Sequence, residues 1–464
     1  MMRLLAGPPL LRLMASVFLA GFAPWAMAQP ASDSLPLLTN GAYRVDLPLV
    51  LRLAGARNLD VQIARERLNE SRAQRESALE QFFPSLTPGV AYHRRDGMAQ
   101  AVPAGTVSDT HFESYAPGAT VLAQVALGDA IYQSLAARQW VRASDQALET
   151  QRQDSLVNAA EGYFDLVKAR ALIETVQDAA NISEDYQRQL HEAVGAGIAF
   201  KGDELRVQTQ TGSYQITLRQ AREQQRLAGA NLARILHLDS TVELLPLEAD
   251  LVPLLLFPTN APLHSLVQQA LSSRPELKQN QALVLAARDT KNGAVYGPLI
   301  PSIGAQVFAG GLGGGHDSGP SNFGASEDYL VGLGWRIGPG GLLDFGRVKA
   351  SKARLATAQL GEAKLRDDIT VQVVSALTRA QSLFDQIALA ERNLASANEA
   401  FRLTRERQQY GVGIVLEYLQ AQQALTHARS EYISAIADHN KAQYVLNKAV
   451  GVAPSNAVTV TGPR

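Results

Sequence analysis

The sequence predicts a mainly α-helical fold with membrane β-strands, built from a strand-and-helix unit written twice. Three observations carry this expectation. Aligning "FFPSLTPGVAYH" at Phe82 with "LIPSIGAQVFAG" at Leu299, a shift of 217, superposes Pro84 on Pro301 and Ser85 on Ser302, and the same shift places Arg57 on Arg274. No proline occurs between Pro117 and Pro246 or between Pro339 and Pro454. Both tracts are rich in Ala, Leu, Gln, Arg and Glu, which favour helix over lengths far beyond the usual dozen residues. Ahead of each tract lie short segments with the period of two expected of half-buried strands.

Residues 1–28 read as a secretory signal. Arg3 and Arg12 supply positive charge, "LMASVFLAGF" an apolar core, and Ala26-Met27-Ala28 a cleavage site before Gln29. An uncleaved anchor needs ~20 uninterrupted apolar residues, and Arg12 and Pro24 bound this run. The first repeat, 29–245, is then expected to hold helices at about 47–81, 129–194 and 203–237 and strands at about 86–95 and 118–127. A proline-rich linker, 246–262, leads to the second repeat, 263–453, with helices at about 263–295, 344–410 and 416–450 and strands at about 302–310 and 328–338. The tail 454–464 reads as flexible.

In the strand 328–338, Tyr329, Val331, Leu333, Trp335 and Ile337 share one face, and Gly332, Gly334 and Arg336 the other. A strand of a soluble sheet alternates in the same way. An apolar outer face with aromatic residues at the interfaces, here Tyr329 and Trp335, is also the pattern of an outer-membrane strand. The long helices need partners of their own. A helix over 129–194 would be ~100 Å long at 1.5 Å per residue and cannot bury its stripe alone. Gly195 and Gly197 in the first half, and Gly411 and Gly413 at an offset of 216 in the second, permit the chain to reverse. Helical hairpins follow, packed in the second half through Val373, Leu377, Ala380, Phe384, Ile387, Leu394 and Phe401.

Other classes find little support. The formal net charge of -1 gives no reason to propose nucleic acid as a partner. The absence of cysteine rules out disulfides and thiolate metal sites. "LVPLLLF", Leu251 to Phe257, is too short for a membrane helix. The glycine-rich run Gly310 to Gly324 lacks the lysine and hydroxyl residue of a phosphate loop and reads as an extracellular loop. The eight histidines show no HExxH spacing, and His427 and His439 are assigned to helix surfaces. No catalysis, cofactor or metal is therefore expected. If the chain enters a membrane it does so as strands, and four strands cannot close. Two chains would give an eight-stranded barrel filled by its own side chains, whereas three would give twelve strands around water.

The duplicated plan, with "FFPSL" after the first helix, "LGWRIGPGGLLDFGRVKASKARL" entering the long helix and "YGVGIVLEYLQAQQALTHARSEYISA" at the second bend, resembles TolC-family outer-membrane efflux proteins. The resemblance implies a homotrimeric 12-stranded outer-membrane barrel joined to a long periplasmic α-helical barrel. It also implies service with a periplasmic adaptor and an inner-membrane transporter as the exit duct of a tripartite pump, or of a type I secretion system. By the same resemblance the hairpin tips form a periplasmic gate, with Asp203 at the acidic position of the first bend, Tyr410 before the second, Glu417 as the first pore-facing acid and Gln420 where some members have a second. The arginine with which some relatives tie the hairpins falls in a gap. From the residues alone, Asp203 is equally a helix cap and Glu417 an acid favoured by the helix dipole. A periplasmic adaptor, the main rival, would show one hairpin flanked by compact β domains rather than a duplicated unit.

Overall fold

The computed structural model describes residues 42–452 apart from 84, 101–104, 240, 249–250, 259–260, 316–322 and 411–412. The expected signal 1–28 and tail 454–464 lie outside the described residues. In chain order the first half contains β1 (Ala42–Val45), α1 (Leu47–Arg57), α2 (Leu59–Glu80), β2 (Ser85–Gln100), β3 (Val107–Val125), α3 (Leu127–Gly195), α4 (Lys201–Ile235) and β4 (Glu243–Pro246). The second contains α5 (Leu263–Ser273), α6 (Pro275–Tyr296), a 3-10 turn at Gly297–Leu299, β5 (Ser302–Gly315), β6 (Gly324–Gly334), α7 (Phe345–Gln409) and α8 (Val415–Val450). The short strands β1 and β4, which pair in parallel, carry no pattern that the sequence made visible.

One antiparallel sheet runs β2-β3-β5-β6. Its strands differ from their expected extents. β2 and β3 pair from Ser85 with Leu122 through Gln100 with Val107, and β5 continues through the glycine run to Gly315. The apolar alternation marks only the part facing lipid, while the hydrogen-bonded ladder continues into charged and glycine-rich residues beyond it. β6 instead starts earlier and stops at Gly334, short of the expected 338. There the chain curls away: Gly338 and Gly340 take φ of 107° and 75°, and Leu342 N–H donates to the Arg336 carbonyl at 2.8 Å.

Register sorts the sheet into two faces. Tyr329, Val331 and Leu333 pair with Val307, Ala305 and Ile303, and these with Val121, Ala123 and Val125, a continuous apolar wall. On the other face Gln306 pairs with Leu330 and Leu122, Gly304 with Gly332 and Gln124, and Thr120 with Thr87 and Phe308. One face suits lipid and the other water.

α3 has 69 residues and α7 has 65, each about 100 Å of rod at 1.5 Å per residue. Both are covered by pairs of shorter helices set end to end. The expected helix 47–81 is broken at Asn58, whose Oδ1 accepts from the Asp60 and Val61 amides at the start of α2 while its Nδ2 donates to the Ile235 carbonyl at the end of α4 (2.9 Å). The expected helix 263–295 is broken likewise at Arg274, beside the end of α8. α1 and α2 therefore cover the sheet-proximal part of α3, through Ser155 to Ala54 and Ser71 to Ser144, and α4 its distal part, through Ser183 to Thr211. Where the rods leave the sheet, Arg347 at the start of α7 bridges to Asp129 at the start of α3 (2.6 Å).

The expected linker is docked rather than loose. His439 Nε2 meets the Leu254 carbonyl (3.0 Å), Asn440 bonds the Leu254 amide and Val252 carbonyl, and Gln443 Oε1 accepts from Leu256 and Phe257. His439, assigned to the surface from sequence, is fully buried, because α8 uses that face to hold the crossing backbone. Burial pushes its imidazole below the ordinary value, against an opposing pull from the Leu254 carbonyl. The unfolded chain takes up the proton first, so stability from this site is complete above about pH 6.5 and declines below it. The thermal midpoint of the detergent-solubilised protein is expected to fall between about pH 7.5 and about pH 5.5, with a shallower fall in His439→Gln. Equal slopes in a calorimetric comparison would contradict this assignment.

Candidate functional site

The two hairpin turns lie at the end of the rods opposite the sheet, and one apolar cluster joins them. Tyr186 and Leu190 of α3, Val207 of α4, Phe401 of α7 and Tyr418 and Leu419 of α8 pack together, with the Tyr186 and Tyr418 rings 4.2 Å apart. Burial pushes the Tyr186 hydroxyl up to about 12, and the charges of Tyr418 and Asp203 act in the same direction.

At the first turn only one glycine of the expected pair is left-handed. Gly197 has φ 76°, whereas Gly195 is the last residue of α3. α4 begins at Lys201 with Phe200 before it, so Asp203 is not the cap. It sits in the first turn, ion-paired with Arg206 at 3.2 Å. Its neighbour Glu204, which the sequence reading passed over, is the buried acid, held by His191 Nδ1 (2.8 Å) and Lys201 Nζ (2.6 Å). The hydrogen bonds from His191 and then Lys201 keep its carboxyl below the usual range. The i, i+3 spacing of Lys201 and Glu204 was a visible signal, whereas His191 lies across the turn.

At the second turn Tyr410 caps α7 with its side chain 83 % exposed. Gly411 lies outside the described residues. Gly413 is required by crowding, since a Cβ there would stand 2.9 Å from the Gln408 backbone nitrogen. Glu417 is half-exposed and pairs with Arg407 across the turn at 3.2 Å, and Gln420 is exposed. The charge of Glu417 is thus partly balanced within its own chain. Arg407 was missed because its partner is ten residues away through a reversal.

At the sheet, Trp335 stands one residue past β6 and its indole Nε1 donates to the Leu299 carbonyl at 3.1 Å. Tyr329 sits in the middle of β6, opposite Val307, not at an end. The aromatic level at the other end consists instead of Tyr92 and Tyr115, with ring centroids 5.2 Å apart, and Phe323, whose ring covers Gly311 and Gly313. Val125 and Tyr115 stand ten residues apart along β3, ~33 Å of strand, or ~25 Å of height at a ~40° tilt, which matches the apolar band of an outer-membrane wall.

A two-faced sheet of membrane height, mounted on helical rods that reach a common distal tip, defines an outer-membrane channel protein. The chain belongs to the outer membrane efflux protein family, whose model matches residues 50–236 and 266–452, once in each half. Among solved structures it is similar to the Campylobacter jejuni CmeC outer membrane channel, with TM-score 0.76 and 16% identity over 87% of this chain and 85% of that one. It is similar also to CusC, with TM-score 0.73 and 18% identity over 92% and 99%. The open state of the Neisseria gonorrhoeae MtrE outer membrane channel matches with TM-score 0.71 and 18% identity over 89% and 91%. At these identities the likeness is one of fold. No curated protein matches the chain. The protein resides in the outer membrane and extends into the periplasm.

Proposed function

We propose that three copies of this chain form a 12-stranded barrel and a continuous helical duct, the passive exit of a tripartite efflux pump fed by an inner-membrane transporter through a periplasmic adaptor. The observation that carries this is the pair of open sheet edges. β2 and β6, 16 and 11 residues long, each pair on one side only, and an open edge in lipid leaves backbone groups unsatisfied. Joining β6 of one copy to β2 of the next removes every edge.

Two exposed stripes on the rods support the same arrangement. On α4, Leu205, Ile216 and Leu227 recur every 11 residues, and on α7 Leu360, Val371, Leu389 and Leu403 lie along one side, all about half or more exposed in the single chain. Eleven residues return a helix to nearly the same direction. α7 runs toward the tip and α4 away from it, so the stripes of adjacent copies would meet antiparallel. The duct needs no catalytic group, and energy for transport would come from the partner pump.

Native mass spectrometry of the detergent-solubilised protein is expected to give a trimer, and planar lipid films containing it are expected to pass ions. A single compact subunit, or an electrically silent film, would remove the reading. Asp203, Tyr410, Glu417 and Gln420 then surround the inner opening, with Glu417 as a threefold ring of acceptors. Block by a trivalent cation added to the tip side is expected to weaken about tenfold in Glu417→Gln and to strengthen in Arg407→Gln. Unchanged block in both variants would assign Glu417 to a solvated helix end.

A further inference from the structure

We propose that the outer mouth of the duct is a binding collar for anions bearing several phosphate or sulfate groups, formed by Arg95 and His93 from three chains. The proposal rests on the trimeric barrel described above and adds a site to it. In the β2–β3 hairpin beyond the Tyr92 and Tyr115 level, charge is divided by face. The lipid-side face carries Arg94, Asp96, Glu113, His111 and Asp109. These satisfy one another: Arg94 bonds Asp96 (2.7 Å) and Glu113 (3.2 Å), and His111 bonds Asp96 (3.0 Å). The inner face carries His93 and Arg95 among Ala91, Ser114 and Phe112, with the His93 and Phe112 rings 5.7 Å apart.

Arg95 is exposed and has no ion pair among the described residues. Among the described residues, Asp328 is the nearest carboxylate assigned to the same face, and it stands in the row of Phe308, Thr120 and Thr87. That row is eight residues along β2 from Arg95, ~27 Å. The hairpin segment 101–104 is Ala-Val-Pro-Ala and adds no charge. Twelve strands ~4.8 Å apart and tilted ~40° enclose a wall roughly 24 Å across, so three long arginine side chains project into one vestibule. Guanidinium forks match phosphate and sulfate oxygens bidentately, and one polyanion could engage all three at once. A collar of this sign concentrates such anions at the mouth and holds cations off it.

Inositol hexakisphosphate is the probe. Titration calorimetry on the detergent-solubilised wild-type trimer is expected to give one ligand per three chains, binding more weakly as salt rises. Arg95→Gln should assemble normally, because its side chain has no partner among the described residues to lose, and bind about tenfold or more weakly, with Arg95→Lys between. In planar films the probe should block from the sheet side and not from the tip side. A wild-type protein that is not trimeric would remove both the duct and the collar. A conducting trimer that takes up no hexakisphosphate, or binds it equally well as Arg95→Gln, would overturn the collar alone.

Discussion

Val331→Arg is expected to abolish the outer-membrane trimer, whereas Leu330→Arg, one residue earlier, leaves it assembled. In the single chain the two side chains are 75% and 63% exposed, so accessibility does not separate them. Register does. Val331 lies opposite Ala305 and Ala123, within the wall formed with Val307, Val121, Ile303 and Leu333. An arginine there enters hydrocarbon, at about 2–4 kcal/mol near the midplane, and the proposed threefold assembly would meet that cost three times. Leu330 lies opposite Gln306, between rows containing Gly304, Gly332 and Thr120, where a charge meets water. The check is outer-membrane fractionation followed by gels that distinguish the heat-modifiable trimer from the unfolded chain. Assembly of both variants, or loss of both, would show that the faces are wrongly assigned.

The contrast between these neighbours also marks what the sequence made legible. Alternation at Tyr329, Val331 and Leu333 and the offset linking "FFPSL" to "LIPSI" pointed to the strands and the duplication, because both are local patterns in residue type. Strand length was less legible, because the ladder outruns the lipid-facing pattern, and Asp96, His111 and Glu113, outside the expected strands, look like loop residues until β2 and β3 are placed side by side. The break at Asn58 was hidden for a different reason: asparagine does not forbid helix, and it ends one here because the terminus of α4 arrives beside it. The break at Arg274 has a local cause, since Pro275 pushes the residue before it out of the helical region and opens α6 at its first position. His439 was misjudged because a polar residue on a helical tract is exposed unless a crossing segment needs it, and that segment, around Leu254, is distant in sequence. The pairing of Glu417 with Arg407 depended on the geometry of the reversal.

The Arg274 joint yields the second large effect. Arg274→Ala is expected to destabilise the α5–α6 region by about 3–5 kcal/mol, the range for breaking a buried ion pair from one side. The Arg274 side chain is 5% exposed and forms a two-pronged bridge to Glu276, Nη2 at 2.8 Å and Nε at 3.2 Å, while Nη1 reaches Gln372 on α7 at 2.6 Å. Its stem packs against Gly451, whose φ of 77° turns the chain at the end of α8. Truncation leaves Glu276 and Gln372 without their partner and opens a void beside the core of Leu277, Ile369 and Val450. The corresponding cap in the first half, Asn58, is held by neutral hydrogen bonds, and Asn58→Ala is expected to cost only about 1 kcal/mol. Replacing the pair by apolar groups distinguishes lost packing from stranded charge. Arg274→Met with Glu276→Leu keeps the volume and removes both charges, so it should recover most of the stability that Arg274→Ala loses. Amide exchange across 263–296 reads this directly, with a rise of about a hundredfold or more in Arg274→Ala, near wild-type rates in the double variant and little change in α4. If both variants exchange equally fast, the joint is held by the shape of the arginine stem, and the bridge to Glu276 contributes nothing of its own.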